Sequence, residues 1–297
     1  MAAKKCVFKG AATALITPFK NGKVDYEAFG DIIEMQIAGG IDALVVCGTT
    51  GEPATLTNPE HLDVIKFCVD KVAHRVPVIA GTGSNETSHA VYLSKEAERL
   101  GADALLLVTP YYNKCSQKGI VKHFETVADS VNIPCIIYNV PGRTGFSISL
   151  DSYKALSKHP NIVAAKEASG NMALIMGIIS ECGEDLPVYS GDDQITVPLM
   201  SLGAIGVISV FSDVLPAKAV EMTHLCLEGK FPEAAKIQLD YLKLMNGLFM
   251  QTSPIPVKTA LCKMGYCDIE MRMPLCPMDD ADNEKLFALM REYGLTK

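Results

Sequence analysis

Short apolar runs alternate along the chain with longer stretches whose apolar residues recur every three or four positions. The runs fall at 10–17, 43–47, 76–80, 104–108, 135–138, 162–166, 187–190 and 206–210. They are nearly continuous in apolar residues, the pattern of strands buried on both faces of a parallel sheet. The intervening stretches read as helices. Asp25 has the place of an N-cap, Phe29, Ile32, Ile33 and Ile37 share one face, and Gly39-Gly40 is the stop. Asn21-Gly22 reads as a turn. Thr57-Asn58-Pro59-Glu60 has capping-box spacing and opens a helix carrying Leu62, Ile65, Val69 and Val72. Further helices are expected up to about residue 100, over 117–131, and briefly before 162.

Strand and helix alternate without exception over residues 1–229, which implies parallel strands. Eight such units match a (β/α)8 TIM barrel, an α/β fold. A doubly wound open sheet is the rival, but no dinucleotide fingerprint follows the first strand. Gly81-Thr82-Gly83 lacks the third glycine and reads as a tight turn with backbone near a ligand or a neighbouring subunit. Over 230–297 only helical patterns continue, at 234–250, 256–264 and 282–293. This predicts a small C-terminal helical domain on a catalytic barrel, and nothing in it is marked for chemistry.

Composition narrows the functions open to such a barrel. A net charge of −7 argues against nucleic acid or a bilayer as partner. The ten cysteines are scattered without a metal or redox spacing, so reduced thiols in the cytoplasm are expected. The basic opening, Met-Ala-Ala-Lys-Lys, leads into no apolar stretch long enough for a signal peptide or a membrane span. The six histidines all fall on expected helices, which supports neither a histidine metal site nor a serine triad.

In a barrel of this type the chemistry sits at the carboxyl ends of the strands. Lys166 ends the apolar run 162–165, so its ammonium loses hydration and its pKa should fall. A neutral amine can attack a ketone and form a Schiff base. The plainer reading is a lysine paired with a carboxylate at a strand end, and this stretch alone leaves both open. Tyr138 ends the neighbouring strand and can sit beside the amine, though it also suits an ordinary barrel layer. Thr49 and Thr50, Tyr111 and Tyr112, and Arg143 arrive at the same end. They add hydroxyls and phenols for proton transfer and a guanidinium for a carboxylate. Glu52 reads as an acceptor for nearby backbone amides. Asp192-Asp193 precedes a helical pattern, so N-capping is expected rather than a metal pair.

The strings Gly48-Thr49-Thr50-Gly51-Glu52, Tyr138-Asn139-Val140-Pro141-Gly142-Arg143-Thr144-Gly145 and Lys166-Glu167-Ala168 resemble the class I pyruvate aldolase superfamily of N-acetylneuraminate lyase and dihydrodipicolinate synthase. The resemblance covers essentially the whole chain. Arg143 in that context, with Thr109-Pro110-Tyr111-Tyr112-Asn113, is similar to the dihydrodipicolinate synthases. It implies a lyase in which Lys166 binds pyruvate as a Schiff base. Tyr138, Thr49 and Tyr112 would relay protons, with Tyr112 reaching in from a neighbouring subunit. Thr50 would bind the pyruvate carboxylate and Arg143 that of L-aspartate 4-semialdehyde. Gly191 and Ile208 would line the pocket through their backbones. The expected product is 4-hydroxy-tetrahydrodipicolinate, on the route to diaminopimelate and lysine. No cofactor and no metal are implied, and the expected assembly is a homotetramer built as a dimer of dimers.

The nearest alternative is a pyruvate-forming lyase of sialic or 2-keto-3-deoxy sugar acids, which would use the same lysine and tyrosine without needing Arg143. A non-catalytic keto-acid-binding barrel is the alternative from another class. The resemblance also implies a lysine effector site at a dimer interface, which Tyr111, Ala54, His61 and Asn85 fit. His89, Pro53 and Asn58 depart from it. Sensitive members hold the effector's ammonium with an acid where this chain has His89, so weak feedback is expected. The alternative is that another acid, such as Glu86, takes its place.

Overall fold

The computed structural model describes residue 4 and residues 6–296. Most of the basic opening segment therefore lies outside the described residues. Eight strands close into a parallel barrel: β1 (Gly10–Ala14), β4 (Ala43–Val46), β5 (Val78–Gly81), β6 (Ala104–Val108), β7 (Cys135–Asn139), β8 (Ile162–Glu167), β9 (Val188–Ser190) and β10 (Gly206–Ser209). β1 pairs with both β4 and β10, which is the closure. All eight expected runs are strands, with ends moved by a few residues. The remaining two strands, β2 (Phe19–Lys20) and β3 (Lys23–Val24), form an antiparallel hairpin across Asn21-Gly22. Both turn residues have positive φ, 53° and 77°, as a tight two-residue hairpin requires. Two-residue strands carry no periodicity, so only the turn was legible.

Local chemistry sets the helix limits. Asp25 accepts from Ala28 N, and Thr57 and Glu60 complete the capping box. The helix expected over 234–250 is two, Phe231–Asp240 and Leu242–Gly247. The break is at Tyr241, whose ring is held between Phe211 at 5.5 Å and Tyr293 at 5.2 Å. His74 and His159 lie in turns just after helices rather than on them.

The apolar residues divide into two cores, as the two faces of a closed sheet require. One lies between strands and helices; the other fills the barrel with Ala12, Val45, Ile79, Leu106, Ile136, Ala164, Tyr189 and Ile208. Phe8, just before β1, stacks on Tyr189 at 4.3 Å and closes the amino-terminal mouth. The C-terminal helices are bound to the barrel by a buried ion pair. Lys258, on the helix Ile255–Lys263, donates to Glu52 at 2.5 Å, and neither side chain is exposed beyond 1%. Glu52 thus departs from the expected amide acceptor: its one backbone contact is a long one, from Arg272 N at 3.4 Å. Its neighbourhood is an ammonium supplied from two hundred residues away, which local sequence cannot show.

Candidate active site

β7 and β8 run in register, Tyr138 opposite Lys166 and Asn139 opposite Glu167. Alternation along β8 sends Lys166 into the barrel and Glu167 outward. Glu167 extends the strand one residue past the expected end because its carboxylate is fully engaged. Asn139 Nδ2 donates at 2.6 Å, Tyr153 OH at 2.5 Å and Ser169 Oγ at 2.5 Å. Among the described residues no acid forms a salt bridge with Lys166. Its nitrogen lies 4.3 Å from the centre of the Tyr138 ring, and the residue is 6% exposed. Burial lowers its pKa to about 8; the Asp193 carboxylate opposes the shift and the Arg143 guanidinium adds to it. At pH 7 about a tenth of such amines are neutral, against fewer than about one in a thousand for an ordinary lysine. Burial pushes the Tyr138 phenol up to about 12, against the opposing effects of Arg143 and the Thr49 hydroxyl. The phenol therefore keeps its proton and can donate it.

A cavity of about 220 Å³ opens above the amine, lined by Thr49, Thr50, Tyr138, Arg143, Lys166, Gly191, Val210 and Ser253 among others. Gly191 is required there: a Cβ would come within 2.8 Å of the Ala168 Cβ and 3.0 Å of Lys166 Cε. Ile208, expected to line the pocket through its backbone, packs its side chain inside the barrel, and Val210, two residues on, lines the cavity. Arg143 sits on the short helix Pro141–Thr144 and donates from Nη2 to Ser253 O at 2.7 Å. A larger cavity of about 450 Å³ shares Gly48, Thr49, Tyr138, Arg143 and Ser253, and runs outward past Ala54, His61, His89 and Tyr111.

Of the expected site residues, Lys166, Tyr138, Thr49, Thr50, Arg143 and Gly191 converge on one cavity. Tyr112 does not: it is 93% exposed, with φ at 71°, and lines neither cavity. Besides Val210, three residues near the cavity were not read from the sequence as part of the site. Ser253 and Phe249 come from the C-terminal helical region, where no chemistry was expected. Asp193 was read only as a helix cap. Asp192 does cap, accepting from Gln194 N at 2.9 Å, whereas Asp193 turns inward and accepts from Val210 N and Phe211 N.

A closed parallel barrel with a lysine amine of lowered pKa buried in a polar cavity at its carboxyl end defines an enzyme of the class I, Schiff-base aldolase type. The match to the dihydrodipicolinate synthetase family runs over residues 7–293, and the chain belongs to that family. It is 50% identical over 289 residues to a 4-hydroxy-tetrahydrodipicolinate synthase of Geobacter metallireducens, covering 97% of this chain and 100% of the relative. The crystal structure of dihydrodipicolinate synthase from Aquifex aeolicus superposes with a TM-score of 0.95 at 49% identity, over 97% of this chain and 99% of that one. The enzyme from Cyanidioschyzon merolae, solved with lysine bound, gives 0.94 at 39% identity, over 98% and 100%.

Proposed function

We propose that this chain, a 4-hydroxy-tetrahydrodipicolinate synthase by family and by its half-identity to curated relatives, works through Lys166 as its covalent residue. The observation that carries the reading is the buried Lys166 amine, its pKa lowered to about 8, beside a protonated Tyr138. The neutral amine adds to the carbonyl carbon of pyruvate. One proton from the amine itself and one from the Tyr138 phenol go to the oxygen, which leaves as water, and the nitrogen keeps one proton and a positive charge. That charge acidifies the methyl group, the Tyr138 phenolate takes one of its protons, and the carbon of the resulting enamine attacks the aldehyde of L-aspartate 4-semialdehyde, whose oxygen receives the proton back from the phenol. Ring closure by the substrate's own amine releases Lys166 and gives 4-hydroxy-tetrahydrodipicolinate. Thr49 lies beside Tyr138 to pass the proton on, and Thr50 supplies a buried hydroxyl for the pyruvate carboxylate. Arg143, at the wall shared by both cavities, takes the carboxylate of the second substrate.

Tyr112 completes the relay from a neighbouring subunit, a role its 93% exposure permits and its own chain's cavity does not use. The assembly is a homotetramer, a dimer of dimers, in the cytoplasm. All ten cysteines are unpaired, which fits a reducing compartment. Lysine, bound by the relative from Cyanidioschyzon merolae, acts weakly here because His89 offers its ammonium no opposing charge. Borohydride reduction with pyruvate present is the test. It should add one reduced pyruvyl group to the peptide holding Lys166, and Lys166→Ala should abolish it. Labelling that survives the substitution excludes the assignment. Product formation from pyruvate plus aspartate semialdehyde, and none from sialic or keto-deoxy sugar acids, separates the synthase from a lyase.

A further inference from the structure

A second carboxylate is built in behind the Lys166 cavity, at a place the reaction scheme does not use. β9 leaves the sheet beside β8, with Ser190 opposite Glu167, and Gly191 donates to Glu167 O at 2.7 Å. Two residues past Gly191, which touches the lysine stem, Asp193 turns into the protein and is 2% exposed. Oδ2 is fixed by the amides of Val210 at 3.0 Å and Phe211 at 2.9 Å, and Val210 is itself a wall of the lysine cavity. Oδ1 is buried with no hydrogen-bond partner among the described residues. A carboxylate oxygen left bare in a dry interior is costly unless a positive charge is near. The other acids around Lys166 are committed elsewhere: Glu167 to Asn139, Tyr153 and Ser169, and Asp192 to Gln194 N.

We infer that Asp193 is the fixed counter-charge of the Lys166 nitrogen, a positioning residue that holds the iminium formed there in its charged state. The inference rests on the Schiff-base reading of Lys166. Forming the iminium puts a positive charge where the reacting amine was neutral, inside a cavity walled by Tyr138 and by the Arg143 guanidinium, which repels it. Asp193 opposes Arg143, and it is the one group that raises the lysine's pKa. Facing Asp193 are the Ser209 hydroxyl and the two amides, which favour its charged form. Burial is the largest influence and raises its pKa, and Asp192 adds to the rise. Asp213, also fully buried, has both oxygens unpartnered among the described residues and lies close enough for Asp193 to push its pKa up. Of the two, Asp193 is the one whose carboxylate is held by two backbone amides, which favours placing the negative charge of the pair on Asp193.

Two measurements test the counter-charge apart from the reading beneath it. Wild-type protein is first reduced with borohydride and pyruvate; failure there removes the Schiff base itself. Asp193→Asn then keeps an oxygen for the two amides and removes the charge. The acid limb of kcat/KM for pyruvate should move down by about one pH unit, and the fraction trapped at subsaturating pyruvate should fall about tenfold. A rate loss with an unmoved limb makes Asp193 structural and overturns the proposal. The reciprocal variant, Lys166→Met, does not depend on how Asp193→Asn folds. Without its counter-charge Asp193 takes a proton at higher pH in the folded state than in the unfolded chain, so stability grows as pH falls. Between about pH 7 and about pH 5 the Tm of Lys166→Met should therefore gain on that of wild type. Parallel curves would show that the two groups do not sense one another.

Discussion

Tyr138 and Lys166 are register partners on adjacent strands, and the lysine nitrogen sits 4.3 Å from the centre of the phenol ring. One strand pairing thus fixes the proposed nucleophile and the proposed proton donor together. The ring face attracts the charged form of the nitrogen, while the apolar wall of β8 disfavours it, and the outcome is an amine with pKa near 8. Loosening either strand would separate the pair, so the barrel's closure is part of the chemistry.

The lowered lysine pKa carries a stability cost with a defined sign. The unfolded chain holds the Lys166 proton up to about pH 10.5, the folded chain only to about 8. The cost is therefore full below pH 8 and relieved as pH rises to about 10.5. At pH 7 it is worth about 3 kcal/mol. Lys166→Met should be inactive and more resistant to urea than wild type by that order, with the advantage gone above about pH 10.5. Equal urea midpoints at pH 7 would show that the ammonium is not penalised.

Arg143→Ala should impair use of aspartate semialdehyde far more than pyruvate trapping. An unpaired substrate carboxylate costs about 2–5 kcal/mol, or upwards of about thirtyfold in kcat/KM. Because the guanidinium also depresses the Lys166 pKa, its loss should move the acid limb of the pyruvate half-reaction to higher pH. That direction is opposite to the one expected of Asp193→Asn. Equal damage to both half-reactions would make Arg143 a structural tie to Ser253.

Lys258→Met leaves Glu52 charged and buried without its partner, which costs about 3–5 kcal/mol. Replacing both, as Glu52→Gln with Lys258→Met, should recover most of that loss in a urea titration. A single variant as stable as wild type would show that Glu52 finds another donor. The natural candidate is Arg272, whose amide is already 3.4 Å away.

What could be read in advance follows the range of the forces involved. The eight apolar runs and the capping box are local, and the structure has them where the periodicity put them. Lys166 and Tyr138 were legible because each ends an apolar run, a pattern written in consecutive residues. Glu52 with Lys258, and Arg143 with Ser253, were not, since each joins segments more than a hundred residues apart. Asp193 shows the same limit at close range. Its sequence neighbourhood is that of a cap, and Asp192 does cap, but one residue further the side chain faces the interior and meets amides from another strand end.

Lysine should inhibit weakly. His89 lies on the wall of the larger cavity with Ala54, His61 and Tyr111, and both ring nitrogens are engaged. Nε2 is 2.9 Å from Asn58 Oδ1 and Nδ1 is 3.1 Å from Ser84 Oγ. An incoming ammonium finds no carboxylate at His89 itself, and Glu52, an acid among the residues lining the same cavity, is already paired with Lys258. Glu86, the acid that could replace one, is spent on capping its own helix: it accepts from Ser88 N and Oγ and from His89 N. Those same bonds hold its carboxyl below the usual range. Turning it toward the cavity would uncap Thr87–Arg99, at a cost of about 1 kcal/mol. Losing a charge-assisted hydrogen bond lowers affinity roughly tenfold or more. Activity at pH 8 should therefore persist at about a millimolar lysine, and His89→Glu should restore inhibition. Half-inhibition of the wild-type protein well below a millimolar would mean that the ammonium is held by a group other than His89 or Glu86.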